Sequence, residues 1–126
     1  AVDELRTAVR HADGILIATP EYNHGVPGVL KNTIDWLSRP PYSSVLRGKP
    51  CAIIGASPAM TGTARAQSQL RQSFEFTNTY AMAQPEFLLA KANTKFDDAG
   101  RLTDDATREH LKAFLNEFVN WIARLR

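Results

Sequence analysis

Apolar and polar positions follow two rhythms along this chain. Val2, Leu5 and Val9 recur at helical spacing, which predicts a helix over residues 1–11 closed by Ala12-Asp13-Gly14. Gly14 to Thr19 is then a short continuous apolar run, the pattern of a strand covered on both faces. A second helix is expected from about Pro27, with Val26, Leu30, Ile34 and Leu37 on one stripe. Arg39-Pro40-Pro41 stops it. Tyr42 to Gly48 reads as a loop, and Lys49-Pro50 leads into a second apolar strand, CAIIGA.

A small-residue loop, ASPAMTGTA, follows that strand. The next helix is expected from about Ala64 to Asn78, and a third strand from Glu86 to Ala90. Residues 91–102 read as irregular, with a turn at Asp98-Ala99-Gly100. Thr103-Asp104-Asp105 places cap-type and acidic residues at the start of the last helix. Its apolar face is Leu111, Phe114, Leu115, Phe118, Ile122 and Leu125.

Strands alternating with helices predict an open α/β sheet of parallel strands, with about three strands and four helices. So small a parallel sheet leaves a bare strand edge. The expectation is therefore a single domain over residues 1–126 that is N-terminally incomplete, the C-terminal portion of a larger unit. Two further strand–helix units, about 50–60 residues, would complete it.

Composition narrows the function classes. Of 126 residues 44% are hydrophobic, enough for a core, and 15 basic side chains face 13 acidic ones. A net charge of +2 spread along the chain gives no reason to expect nucleic acid as a partner. No stretch reaches the roughly 18 apolar residues of a membrane span. The first residues mix charge with helical periodicity rather than forming a secretory leader, and the one cysteine, Cys51, has no internal partner. A cytoplasmic location is the expectation.

In parallel α/β sheets, ligands sit beyond the carboxyl ends of the strands. Two segments fall there: ATPEYNHGVPG (residues 18–28) and GASPAMTGTA (residues 55–64). Their Gly, Pro and small residues leave backbone N–H groups and aromatic faces accessible but supply few proton-transfer groups. Such loops suit a planar heterocycle with acceptors on its edge. His11, His24 and His110 are scattered with no second ligand nearby, so no metal site is expected. Gly55-Ala56-Ser57-Pro58-Ala59 lacks the second glycine of a nucleophile elbow.

The segment TPEYNHGVPGVLKNTIDWLSRP (residues 19–40) resembles the signature of the NADPH-dependent FMN reductase family. Its members are flavodoxin-like flavin, quinone, azo-dye and chromate reductases. Pro20-Glu21-Tyr22-Asn23, Pro27-Gly28, Leu30-Lys31-Asn32 and Ile34-Asp35-Trp36 all match in spacing. Gly48-Lys49-Pro50 before a strand, and Phe96 to Asp104, extend the likeness over essentially the whole chain.

The resemblance implies a flavodoxin-like, doubly wound parallel sheet and an FMN-dependent oxidoreductase. It would take hydride from NADPH or NADH and reduce flavin, quinone or a similar small-molecule electron acceptor. By position it places Pro20, Glu21, Tyr22 and Asn23 against the flavin ring, largely through backbone amides. Ser57, Thr61 and Gly62 are the further cofactor candidates. No side chain is expected to be an essential acid or base, because the cofactor carries the reaction. Family members grip the FMN phosphate with a Ser/Arg/Asn-rich loop after their first strand, and these residues contain no such loop. A homodimer or homotetramer is also implied, with the helix at 27–38 and Pro40-Pro41-Tyr42 as contacts.

Duller readings stand beside each of these. Tyr22 also fits a subunit contact, Glu21 a solvated or helix-pairing acid, and Asn23 a residue chosen for tolerating positive φ. Cys51 fits a small buried hydrophobe, and Trp36 and Trp121 fit packing or interface positions. Arg65 and Arg71 fit solvated helix positions better than phosphate ligands. A phosphoacceptor receiver would need an aspartate at a central strand end, where Ala18-Thr19-Pro20 and Gly55-Ala56-Ser57 stand instead. The remaining alternative is a non-catalytic flavodoxin-like interaction protein that has lost the phosphate site.

Overall fold

The computed structural model describes residues 1–126 throughout. In chain order the main elements are α1 (Val2–His11), β1 (Ile15–Ala18), α2 (Gly28–Leu37), β2 (Pro50–Ala56) and α3 (Ala64–Thr77). Then come β3 (Tyr80–Ala81), β4 (Phe87–Leu89), a 3-10 turn at Ala92–Thr94, and α4 (Asp105–Arg124). Pro27 stands just outside α2 rather than at its first position, and its carbonyl accepts the Leu30 and Lys31 N–H groups. Asn78 closes α3 in the left-handed conformation at φ 55°, a role Asn fills at low steric cost. Asp104 caps α4 as expected, accepting the Thr107 N–H and the Thr107 hydroxyl.

All strand pairings are parallel, and β2 is central. On one side it pairs with β1, Ile15 opposite Cys51 through Ala18 opposite Ile54. On the other it pairs with β3 at its start and with β4 at its end. The two short strands thus share one lane, so the sheet has four strands rather than three.

Period-two alternation divides the core between the two sheet faces. Cys51 and Ile53 of β2 face α1, α2 and α3, packing with Val9, Ile34, Leu37, Leu70 and Phe74. Ala52 and Ile54 face α4, where Met82, Phe87, Phe114 and Phe118 complete a second cluster. Trp121 donates its indole N–H to the Tyr80 carbonyl at 2.8 Å, fastening α4 to β3. Helices on both faces make the sheet doubly wound.

One expectation about β1 fails. Its apolar run predicts a strand covered on both faces, and only one face is covered. Ile15 and Ile17 pack into the first cluster, whereas Leu16 is 44% exposed on the α4 side. There α4 reaches β2 and β4 and leaves β1 open. An apolar hollow of about 520 Å³ runs along that side, lined by Ala18, Ile54, Leu89, Phe96, Leu102 and Leu111 among others.

Candidate functional site

The C-terminal ends of β1, β2 and β4 lie at one end of the sheet, and the loops that leave β1 and β2 meet there. The first loop, residues 19–27, opens with the Thr19 N–H donating to the Ile54 carbonyl, which extends the β1–β2 ladder by one step. It then folds into a tight reversal. Tyr22 and Gly25 exchange both backbone hydrogen bonds, and Asn23 and His24 between them stand at φ 52° and 63°. Two successive positive φ values are the mark of a type I′ turn, which suits Asn at its first central position. Tyr22, Asn23 and His24 are all exposed, so the turn projects from the sheet end.

The second loop, residues 57–63, is bound down at its start and close-packed at its end. Ser57 donates its N–H to Leu89, its carbonyl accepts from Ala92, and its hydroxyl accepts the Ala59 N–H. Gly62 is buried at φ 55°, and a Cβ there would lie 2.5 Å from the Leu88 carbonyl carbon. Only glycine fits such a backbone-on-backbone approach. Thr63 follows at φ 74°, unusual for a β-branched residue, and is fully buried. The Gln67 side-chain amide holds it, donating to Thr63 Oγ1 at 3.2 Å and to the Phe87 carbonyl at 2.9 Å.

The two loops touch through α3. Glu21 Oε1 accepts the Ala66 N–H at 2.8 Å, in the first turn of α3. Gln69 Oε1 accepts the Val26 N–H at 2.6 Å. Arg65 Nη1 lies 3.8 Å from Glu21 Oε2. Arg71 is turned inward, donating to the Met82 carbonyl at 3.0 Å.

All seven residues singled out in the sequence therefore fall on the two adjoining loops: Pro20, Glu21, Tyr22 and Asn23 on one, Ser57, Thr61 and Gly62 on the other. Pro20 also lines the apolar hollow. The structure adds what sequence reading missed. Glu21 uses its side chain within the protein, as the helix-pairing reading allowed, and Gln69 joins it from α3. Neither partner is visible from local spacing, since 45 and 43 residues separate the bonded positions.

Backbone donors dominate what the loops present. The N–H groups of Glu21, Asn23, His24, Met60, Thr61 and Gly62 donate to no acceptor in the chain. Asn23, His24 and Met60 are exposed, so their unpaired amides at the open end of the sheet are available to an acceptor-bearing ligand. Glu21 is the one carboxylate on either loop, and its oxygens are engaged by α3. Cys51 lies far down β2 and is fully buried; burial pushes its thiol up to about 12, so it is not a nucleophile.

Comparison with known proteins gives this constellation a family. The model for the NADPH-dependent FMN reductase family matches residues 1–94. An NAD(P)H-dependent FMN reductase of Pseudomonas aeruginosa is 48% identical over 126 residues, covering 100% of this chain and 68% of that protein. A quinone reductase of Escherichia coli K12 is 43% identical over 126 residues, 99% of this chain and 66% of its own length. Among solved structures, the flavoenzyme NAD(P)H:(acceptor) oxidoreductase FerB from Paracoccus denitrificans superimposes with a TM-score of 0.88 at 37% identity, over 98% of this chain and 68% of that one. The chain thus spans about two thirds of the length of these relatives, and the doubly wound sheet is flavodoxin-like. It belongs to the NADPH-dependent FMN reductase family.

Proposed function

We propose that this chain carries the ring-holding part of an FMN site in an NAD(P)H-dependent oxidoreductase that reduces quinones or similar small-molecule acceptors. The observation that carries the reading is the set of free backbone N–H groups on the two loops. An isoalloxazine edge is rich in acceptors, and amides fixed by a tight turn meet it without the entropy cost of ordering side chains. Asn23 and His24 N–H groups would serve one edge, and Thr61 and Gly62 N–H groups the other. Tyr22, 63% exposed beside the turn, offers an aromatic face or edge.

Bound FMN would supply the hydride-accepting and electron-passing chemistry. The chain's own part is to hold and orient. Gly62 and Gly55 let the second loop lie close over the sheet end, and the Tyr22–Gly25 pair fixes the internal shape of the turn in the first. No side chain of either loop is assigned a proton. The match to reductases named for quinones favours a quinone-type acceptor.

Val29 and Trp36 lie one heptad apart on α2, 77% and 53% exposed, and the exposed Tyr42 packs on Phe76 at 6.3 Å between ring centres. Exposed aromatics of this kind support a face where two copies pair. No helix is long and apolar enough to cross a membrane. A cytoplasmic location, expected from the lone cysteine, is part of the same reading.

The test is spectroscopic. The protein is mixed with FMN, and NADPH or NADH is added in the absence of oxygen, followed by a benzoquinone. Flavin absorption that bleaches with the nucleotide and returns with the quinone supports the reading. Added FMN that neither nucleotide reduces, and that leaves the amides of the two loops unperturbed, contradicts it and returns the non-catalytic alternative.

A further inference from the structure

We infer that Glu21 is a positioning residue, and that with Gln69 it locks the Tyr22–Gly25 turn onto α3 in the orientation the flavin ring would meet. This rests on the FMN reading of the two loops. The geometry is a pair of clamps, one on each side of a four-residue turn. Before the turn, Glu21 Oε1 accepts the Ala66 N–H at 2.8 Å; after it, the Val26 N–H donates to Gln69 Oε1 at 2.6 Å. Ala66 and Gln69 are three residues apart on α3, so both clamps close on the same helix face.

Each clamp also answers a need of the helix or the turn. Thr63, the N-cap of α3, stands at φ 74° and gives the helix no side-chain cap; its hydroxyl accepts from Gln67. The Ala66 N–H is one of the donors that a helix start leaves unpaired, and Ala66 is fully buried. The Glu21 carboxylate satisfies it from another loop and places negative charge at the positive end of α3. Arg65 at 3.8 Å draws the second oxygen the same way. The Glu21 carboxylate is little exposed, with 11% of the side chain accessible, and is thereby turned from the ligand side and committed to α3.

The consequence concerns the free amides. A type I′ turn fixes its internal shape but not its tilt against the sheet. With only the Tyr22–Gly25 pair, the Asn23 and His24 N–H groups would sweep with the turn as a rigid tip. The clamps remove that freedom before any ligand arrives, so binding need not supply the ordering. The Glu21 carboxylate therefore acts through Asn23 and His24, without itself touching the ring.

The test uses Glu21→Ala, Glu21→Gln and Gln69→Ala alongside the parent chain. Amide hydrogen exchange is measured first, with no flavin present, and FMN is then titrated by its fluorescence. In Glu21→Ala, exchange at Ala66, Tyr22 and Gly25 speeds by about tenfold or more, while β2 and α4 amides keep their rates. Gln69→Ala does the same at Val26 and Gly25; because Gln69 is exposed, this variant carries the test should Glu21→Ala not fold. Glu21→Gln keeps an acceptor oxygen, so it restores slow exchange at Ala66 and holds FMN affinity within about threefold, where Glu21→Ala loses about tenfold. A merely structural acid would show no such rescue of affinity at equal thermal stability. Unchanged exchange at the turn in both alanine variants overturns the lock, as does Glu21→Gln behaving like Glu21→Ala. A parent chain that binds no FMN defeats the proposed function instead, and the flavin-free exchange still decides the lock.

Discussion

Thr63 Oγ1 occupies the place a Cβ on Gly55 would take, 1.8 Å from its ideal position. The Thr19 carbonyl stands 2.8 Å from the same point, so backbone blocks the second direction of escape. Here the two loops, the end of β2 and the start of α3 converge without room for a methyl group. Gly55→Ala is expected to lower stability by about 3 kcal/mol, the upper end for overpacking, because backbone has to move. Chemical denaturation of the two proteins measures it; a change under about 0.5 kcal/mol would contradict this packing.

Gly62 and Asn23 separate two uses of positive φ. At Gly62 both conformation and space demand glycine, so Gly62→Ala should destabilise by at least about 1–3 kcal/mol. Asn23 is exposed at φ 52°, and Asn23→Gly should leave stability within about 0.5 kcal/mol while Asn23→Val adds about 1–3 kcal/mol of strain. Thermal melts of the three variants check the order.

Tyr22 should divide affinity from stability. Its side chain is largely outside the core, so Tyr22→Ala is expected to change stability by less than about 0.5 kcal/mol. The same change should weaken FMN binding by about fivefold to tenfold if the ring meets it. Equal affinity in a fluorescence titration would leave Tyr22 as a subunit-contact residue alone.

Asp104 gives an acid-side prediction with a definite sign. The hydrogen bonds from the Thr107 hydroxyl and N–H, with Lys95 adding to them, hold its carboxyl below the ordinary value of 3.8. A carboxylate whose folded value is depressed stabilises the protein above its unfolded value and loses that contribution as pH falls through the folded one. The melting-temperature gap between the parent and Asp104→Ala should therefore be full at neutral pH and shrink below about pH 3.8. A gap that widened on acidification would reverse the assigned sign.

Much of this architecture is legible in the chain, for physical reasons that also mark where legibility stops. The Asp104 cap is a local pattern and is realised, and so is the α4 stripe at Leu111, Phe114, Phe118 and Ile122, whereas Leu115, expected on the same face, is exposed. β3 is two residues long, too short to have a period, and its place is fixed by distant partners: pairing with Pro50 and Cys51, and the Trp121 indole on the Tyr80 carbonyl. Leu16 reads as buried because an apolar run does not reveal which neighbours cover it. Within the site, Asn23 signals its left-handed conformation by residue type, whereas His24 beside it does not. Glu21 and Gln69 carry no local signal at all, since their partners come from an element more than forty residues away.

The central claim is that the unpaired amides of the two loops are where the flavin ring binds. Titrating FMN into the nitrogen-15-labelled chain and following its amide resonances tests this most directly. The account predicts that Asn23, His24, Thr61 and Gly62 shift together and furthest, with one saturation curve, while α1 and the far end of α4 stay still. Shifts centred on any other surface, with these four amides unmoved at saturation, would contradict it.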